Sequence, residues 1–214
     1  VVFILLLVIT VVVANHPDLY EPVAPPQPVE VSSQAESSVL TELSLLPVKG
    51  RAPKTGYERT LFGDGWRRVG NCDMRNIILN RDLTQVAVDD RCRVLTGVLN
   101  DPYTGKVIQF QRGELSSQIV QIDHVVSLSN AWQTGAQQLT PVERENLAND
   151  PLNLLAVDGA INQQKGDGDA ATWLPPNKAF RCQYVERQVM TKKNYRLWVT
   201  PAEKDAMSTV LSRC

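Results

Sequence analysis

Residues 153–165 read NLLAVDGAINQQK. The run Leu154–Val157 is short and apolar, the length of a buried strand rather than of a helix. Asp158 follows at the place where a carboxylate caps a helix, and Gly166, the first residue of the breaker run GDGD, can end it. The stretch therefore predicts a strand turning directly into a short helix. Upstream, residues 119–126 (IVQIDHVV) form a β-branched run that reads as a second strand. Between the two, residues 140–150 (TPVERENLAND) place a Thr, then Pro, then Glu three residues after the Thr, which marks a helix start. The order is strand, inserted helices, strand, short helix, and the fold class is α+β.

Further out, residues 72–83 (CDMRNIILNRDL) space Met74, Ile77, Ile78 and Leu83 as one face of a helix. Residues 93–113 (RVLTGVLNDPYTGKVIQFQRG) read as two strands around the turn signal NDPYTG. In residues 39–48 (VLTELSLLPV), Leu40, Leu43 and Leu46 share a helical face, so the folded domain is expected to run from about Ser37 to Cys214, with a helical and hairpin extension ahead of the central strands. Residues 15–36 are rich in Pro, Val, Ser and Glu and read as a disordered linker, because they cannot bury enough surface to offset their ordering entropy.

Residues 1–14 (VVFILLLVITVVVA) are apolar but shorter than the roughly 20 residues that span a bilayer. They read as the core of an N-terminally truncated signal peptide, with Val12-Val13-Ala14 as its small-residue end. The rival reading is a membrane anchor. Either way the domain is expected outside the cell, secreted or anchored and facing outward. The four cysteines, Cys72, Cys92, Cys182 and Cys214, contain no C-x-x-C pair and no nearby histidine to complete a zinc set, so disulfides are the better reading, with four free buried thiols as the alternative. Sequence order favours Cys72 with Cys92 and Cys182 with Cys214.

The formal charge of −1 hides an asymmetry: residues 1–48 hold five of the 23 acids and no Lys or Arg, which leaves 22 basic against 18 acidic side chains in the remainder. A mildly basic domain is compatible with a polyanionic partner. The chain has two histidines, and His124 alone lies outside the N-terminal tail, directly after Asp123.

The blocks IDHVVSL, NLLAVD and NQQKGD, in that order, resemble the HNH endonucleases (His-Me finger or ββα-metal nucleases), most closely the secreted bacterial branch similar to the C-terminal nuclease domain of GmrSD-type restriction enzymes. The stretches GYERTLFGDGW, CDMRNIILNRDL and DPYTGKVIQF are similar to that branch as well. The resemblance implies a ββα-metal core and a secreted endonuclease, expected as a monomer, that hydrolyses DNA, or RNA, with little sequence preference.

The chemistry asks for a base to deprotonate water and a cation to neutralise developing charge. His124 suits the base, since an unperturbed imidazole titrates near neutral pH; on that value the rate should climb as the pH rises through about 6 to 7. Asp123 offers a hard oxygen to a divalent cation. On a regular strand Asp123 and His124 face opposite sides, so the strand is required to end or bulge there. By resemblance, Asn162 supplies the second metal ligand, Lys165 holds a phosphate as a point charge, and Asn153 steadies the loop carrying the base. One carboxylate and one amide oxygen favour Mg2+ or Mn2+ over Zn2+. Such a wet site contributes little to folding, so Asp123→Ala and Asn162→Ala should abolish activity at low Mg2+ and keep the fold.

Each residue also has a plainer reading: a core histidine bonded to a carbonyl, an acid paired with a cation, a surface amide, a solvated lysine, a turn-forming asparagine. Trp66, Trp132, Trp173 and Trp198 read as core, and Asp158 as a helix cap. Two other classes stay open. One is a non-catalytic exported module binding nucleic acid or the cell envelope, which has no need of Asp123, His124 and Asn162 together. The other is a secreted nuclease toxin, for which the linker is short and plain.

Overall fold

The computed structural model describes residues 32–113 and 118–214. The segment read as a signal peptide or anchor (1–14) and most of the linker read at 15–36 lie outside the described residues. The first helix, α1 (Ser32–Leu45), begins ahead of the boundary placed near Ser37 and buries Val39 and Leu43, followed by Leu46. A two-residue hairpin, β1 (Arg68–Val69) and β2 (Cys72–Asp73), leads into α2 (Met74–Asp82), whose first turn is capped by the Asp73 side chain accepting from the Asn76 N–H.

A three-stranded antiparallel sheet follows in the order β3-β4-β5: β3 (Leu83–Val88), β4 (Val94–Asn100) and β5 (Val107–Gln111). The hairpin read around residues 100–105 is the β4–β5 pair. Strand β3 was not expected, because Leu83 sits where a helical repeat would place it. In the structure Leu83 is extended and pairs with Leu99, and a Cβ at Gly97 would lie 2.7 Å from the Leu83 side chain. Pairing across the sheet outweighs local spacing here.

The centre is an antiparallel ribbon of β6 (Val120–His124) and β7 (Leu154–Asp158), with the helices α3 (Leu128–Gln133) and α4 (Pro141–Ala148) inserted between them. The short helix α5 (Gly159–Lys165) leaves β7 directly, capped by Asp158 and stopped at Gly166, whose φ of 54° suits glycine. Two longer helices, α6 (Arg181–Asn194) and α7 (Pro201–Leu211), close the chain.

Both faces of the ribbon are covered, which explains why β7 reads as an unbroken apolar run. Leu155 and Val157 pack with α1, α6 and α7, while Leu154, Ala156, Val120 and Ile122 pack with α2 and the three-stranded sheet. Among the described residues no helix is long and apolar enough to cross a membrane.

The sulfurs pair as expected, Cys72 with Cys92 and Cys182 with Cys214. Each closed loop should contribute about 2–4 kcal/mol. Reduction should therefore lower the melting temperature by well over ten degrees in total if each bridge acts on the whole domain. Calorimetry with and without reductant measures this; an unchanged midpoint would show that the bridges constrain nothing.

Candidate active site

Strand β6 runs in unbroken register to its last residue, with Asp123 opposite Leu155 and His124 opposite Leu154. No bulge is present. The strand instead ends at His124, and Val125 turns away to donate its N–H to the Asn153 carbonyl. Alternation then sends the two neighbouring side chains to opposite faces of the ribbon. Both residues nonetheless border an open polar groove of about 360 Å3 at the ribbon's end, with Gln121, Ser127, Ser129 and Asn162.

His124 is 6% exposed. Its Nε2 lies 3.0 Å from the Ala148 carbonyl oxygen. A carbonyl only accepts, so this contact assigns the proton to Nε2 and leaves Nδ1 with a bare lone pair. The Trp66 ring lies parallel to the imidazole, tilted by 10° with centroids 5.8 Å apart. Burial first, then the nearby Arg59 and Lys165 charges, pull the His124 pKa down to about 3, against the opposing pull of the Ala148 carbonyl. The imidazole of the free protein is thus neutral throughout pH 5–8. This corrects the expected climb through pH 6 to 7: kcat/KM, which reports the free enzyme, should show no rise from His124 in that range.

The same shift has a consequence for stability. The unfolded chain protonates this histidine near 6.5 and the folded one near 3. Between those values the unfolded state binds more protons, so stability falls as the pH drops, by at most about 1.4 kcal/mol per pH unit. Urea unfolding of wild type and His124→Gln between pH 7 and 4 should give a shallower loss for the variant. Parallel curves would show that the folded imidazole takes up its proton freely.

Asp123 is 4% exposed and both its oxygens are engaged. Oδ2 accepts from the Tyr103 hydroxyl, and Oδ1 accepts from the Lys165 ammonium at 2.9 Å. Lys165 also donates to the His124 carbonyl oxygen at 2.8 Å and is 3% exposed. A phosphate contact is not what this geometry gives Lys165. Its stem runs inward from the last turn of α5, because a carboxylate this deep needs a counter-ion and the end of α5 lies beside it.

Asn162 faces the groove; its amide nitrogen donates to Gln121 Oε1 at 2.9 Å, which leaves the amide oxygen as its acceptor. Asn153 is fully buried and grips the segment after His124: Oδ1 accepts from the Val126 N–H at 2.8 Å, and Nδ2 donates to the Val126 and Leu147 carbonyls. Asp158 caps α5 through the Ala160 and Ile161 N–H groups.

Two residues here were missed by sequence reasoning. Arg59 is exposed, lines the groove, and has no hydrogen bond or ion pair among the described residues. Trp66, read as core, does pack against the cluster of α2 and the three-stranded sheet, and it also lies over the imidazole. A lone arginine and a lone tryptophan carry no positional signal; only the glycine-flanked stretch GDGW hints at a loop built to place an aromatic. Trp132, Trp173 and Trp198 pack against the core.

With this geometry in hand, comparison with known proteins assigns the family. Residues 73–210 match the family described as GmrSD restriction endonucleases, C-terminal domain. The chain belongs to that family. Membership points to a nuclease-like activity on nucleic acid, and the matched region contains Asp123, His124, Asn153, Asn162 and Lys165. A protein of Arthroderma benhamiae described as an uncharacterized secreted protein is 37% identical over 198 residues, covering 92% of this chain and 93% of its own length. No solved structure matches the chain.

Proposed function

We infer that the protein is a secreted, metal-dependent endonuclease that hydrolyses phosphodiester bonds of DNA, with RNA as the alternative substrate, without reading sequence. The observation that carries this reading is the His124 tautomer: a buried neutral imidazole at the end of β6, its Nε2 proton fixed on Ala148 and its Nδ1 bare, belongs to a residue that lines a groove shared with Asp123 and Asn162. The β6–β7–α5 unit is then a ββα-metal core, reached by resemblance and by the order of its elements. The name of the secreted relative and the apolar residues 1–14 support export.

In this reading Nδ1 takes the proton of the attacking water. A base with its pKa at about 3 is weak. A phosphodiester anion in the groove favours the imidazolium and raises that pKa when substrate is bound, so basicity arrives with the substrate. Asn153 holds the backbone after the base, and Lys165 ties the Asp123 carboxylate to the His124 carbonyl, so the two catalytic neighbours cannot drift apart. The guanidinium of Arg59, not the buried ammonium of Lys165, is the cation placed to meet a substrate phosphate.

The donor set fits a divalent cation held weakly. Asp123 offers carboxylate oxygens already bonded to Tyr103 and Lys165, with Oδ1 the less crowded of the two, and Asn162 adds a neutral amide oxygen. All are hard oxygen donors, which suits Mg2+ or Mn2+, whereas the Lys165 charge beside Asp123 opposes tight binding. Among the described residues no cluster of three or more His, Cys, Asp or Glu side chains forms a stronger site. When bound, the cation supplies charge neutralisation on the phosphoryl and leaving oxygens.

Asn162→Ala should lose activity at low Mg2+, keep its melting temperature, and recover as Mg2+ is raised or Mn2+ supplied. Cleavage rates measured against metal concentration, alongside thermal melts, test this. A variant that is inactive at every metal concentration, or as active as wild type at the lowest, would remove Asn162 from the metal set.

A further inference from the structure

Two cavities meet at His124. Beside the polar groove lies a second one, of about 420 Å3, and the two share Arg59, His124 and Leu128 as walls. Their chemistry differs. The groove is lined by carboxylate, amide and hydroxyl groups, whereas the second cavity is walled by Trp66, Phe62, Leu128 and Ala148, with Thr60 and the exposed Asp64 also lining it. Its remaining wall is the loop Gly63–Gly65, which only glycine builds readily: Gly63 has φ 104° and Gly65 φ 122°.

We propose that this second cavity receives an unpaired nucleobase of the strand whose phosphate lies in the groove. The proposal rests on the nuclease reading and deepens it, because it makes single-stranded or locally opened nucleic acid the preferred substrate. The volume falls within the range of pockets that take one small organic ligand. A base still paired and stacked in a duplex cannot enter such a cavity without leaving its stack. Trp66 supplies an aromatic wall whose plane is fixed by its parallel stack on His124, and stacking on an aromatic ring accepts any base. Arg59 borders both cavities without a partner among the described residues, so one guanidinium can neutralise the phosphate that joins a base on one side to the cleavage site on the other. Asp64 and Thr60 offer acceptors for the exocyclic amines of a base.

The test is fluorescence anisotropy in EDTA, where binding is read without turnover. Three labelled probes are used: a short single-stranded oligodeoxynucleotide, the same backbone with abasic residues throughout, and a blunt duplex. The base-bearing single strand should bind about tenfold more tightly than the abasic one, the scale of one stacked base. The duplex, despite its higher charge density, should gain nothing from the second cavity. Trp66→Ala should weaken the base-bearing strand by a similar factor and leave the abasic strand unchanged, a coupling that a merely structural tryptophan does not produce.

Equal affinity for base-bearing and abasic strands overturns the proposal, as does a Trp66→Ala that weakens both alike. The wild-type comparison needs no variant, so it decides the matter even if Trp66→Ala fails to fold, and Trp66→Phe, which keeps a ring, should retain most of the preference. Cleavage in Mg2+ separates the two readings. Retained base preference with no cleavage of any nucleic acid sinks the nuclease reading alone, and cleavage with no base preference sinks the nucleobase site alone.

Discussion

His124→Ala should lower the rate of phosphodiester cleavage by about a hundredfold or more, the scale expected when a positioned general base is lost. The side chain is buried against Trp66 and bonded only to the Ala148 carbonyl, so its removal leaves one carbonyl unpaired and a small cavity. A loss of about 1–3 kcal/mol of stability should accompany the change, short of unfolding a disulfide-bridged domain. Rates measured at a temperature where melting curves show both proteins folded separate the two effects. Cleavage within a factor of a few of wild type, after contaminating nuclease is excluded, would take His124 out of the mechanism and leave it as a core histidine.

Asp123→Ala should be the more damaging substitution to the fold. It was expected to spare stability, on the premise of a wet, weakly held metal site, and the structure reverses that. Asp123 is the buried counter-ion of Lys165, whose side chain has no solvent exposure. Removing one partner of a buried pair typically costs about 3–5 kcal/mol, because the other charge is stranded. The Tyr103 hydroxyl loses its acceptor as well. Asp123→Leu combined with Lys165→Met replaces both charges by apolar groups and should recover most of the lost stability while activity stays absent. Chemical denaturation of the single and double variants reads this directly. If Asp123→Ala melts like wild type, the pair is not formed in solution and Lys165 is free for the phosphate.

These reversals show what kind of information the sequence carried. Local signals were reliable: the Asp158 cap and Gly166 stop bound α5, and Thr140-Pro-Val-Glu opens α4 as a capping box. The same signal recurs at Thr200-Pro-Ala-Glu and opens α7, so that helix was legible and went unread. Strand β3 was hidden because Leu83 fits a helical repeat and its strand pairing is a property of the distant Gly97 and Leu99.

The central residues were legible as types but not as partners. Spacing put Asn162 and Lys165 on one side of a short helix, yet one faces the groove and the other turns inward to a carboxylate 42 residues away. No periodicity encodes a long-range ion pair. The strand at Asp123 and His124 ends without bulging, and both residues border the groove at the ribbon's end. Arg59 and Trp66 come from a loop, where tertiary placement leaves no repeat in the sequence.

The most direct measurement is incubation of the purified, oxidised protein with supercoiled plasmid and with structured RNA, in Mg2+ and in EDTA, beside His124→Ala. The account predicts nicking and then degradation of the plasmid in Mg2+, none in EDTA, and a loss of about a hundredfold or more in the variant. Full activity in EDTA, or intact nucleic acid in every lane with folded wild-type protein, would contradict it.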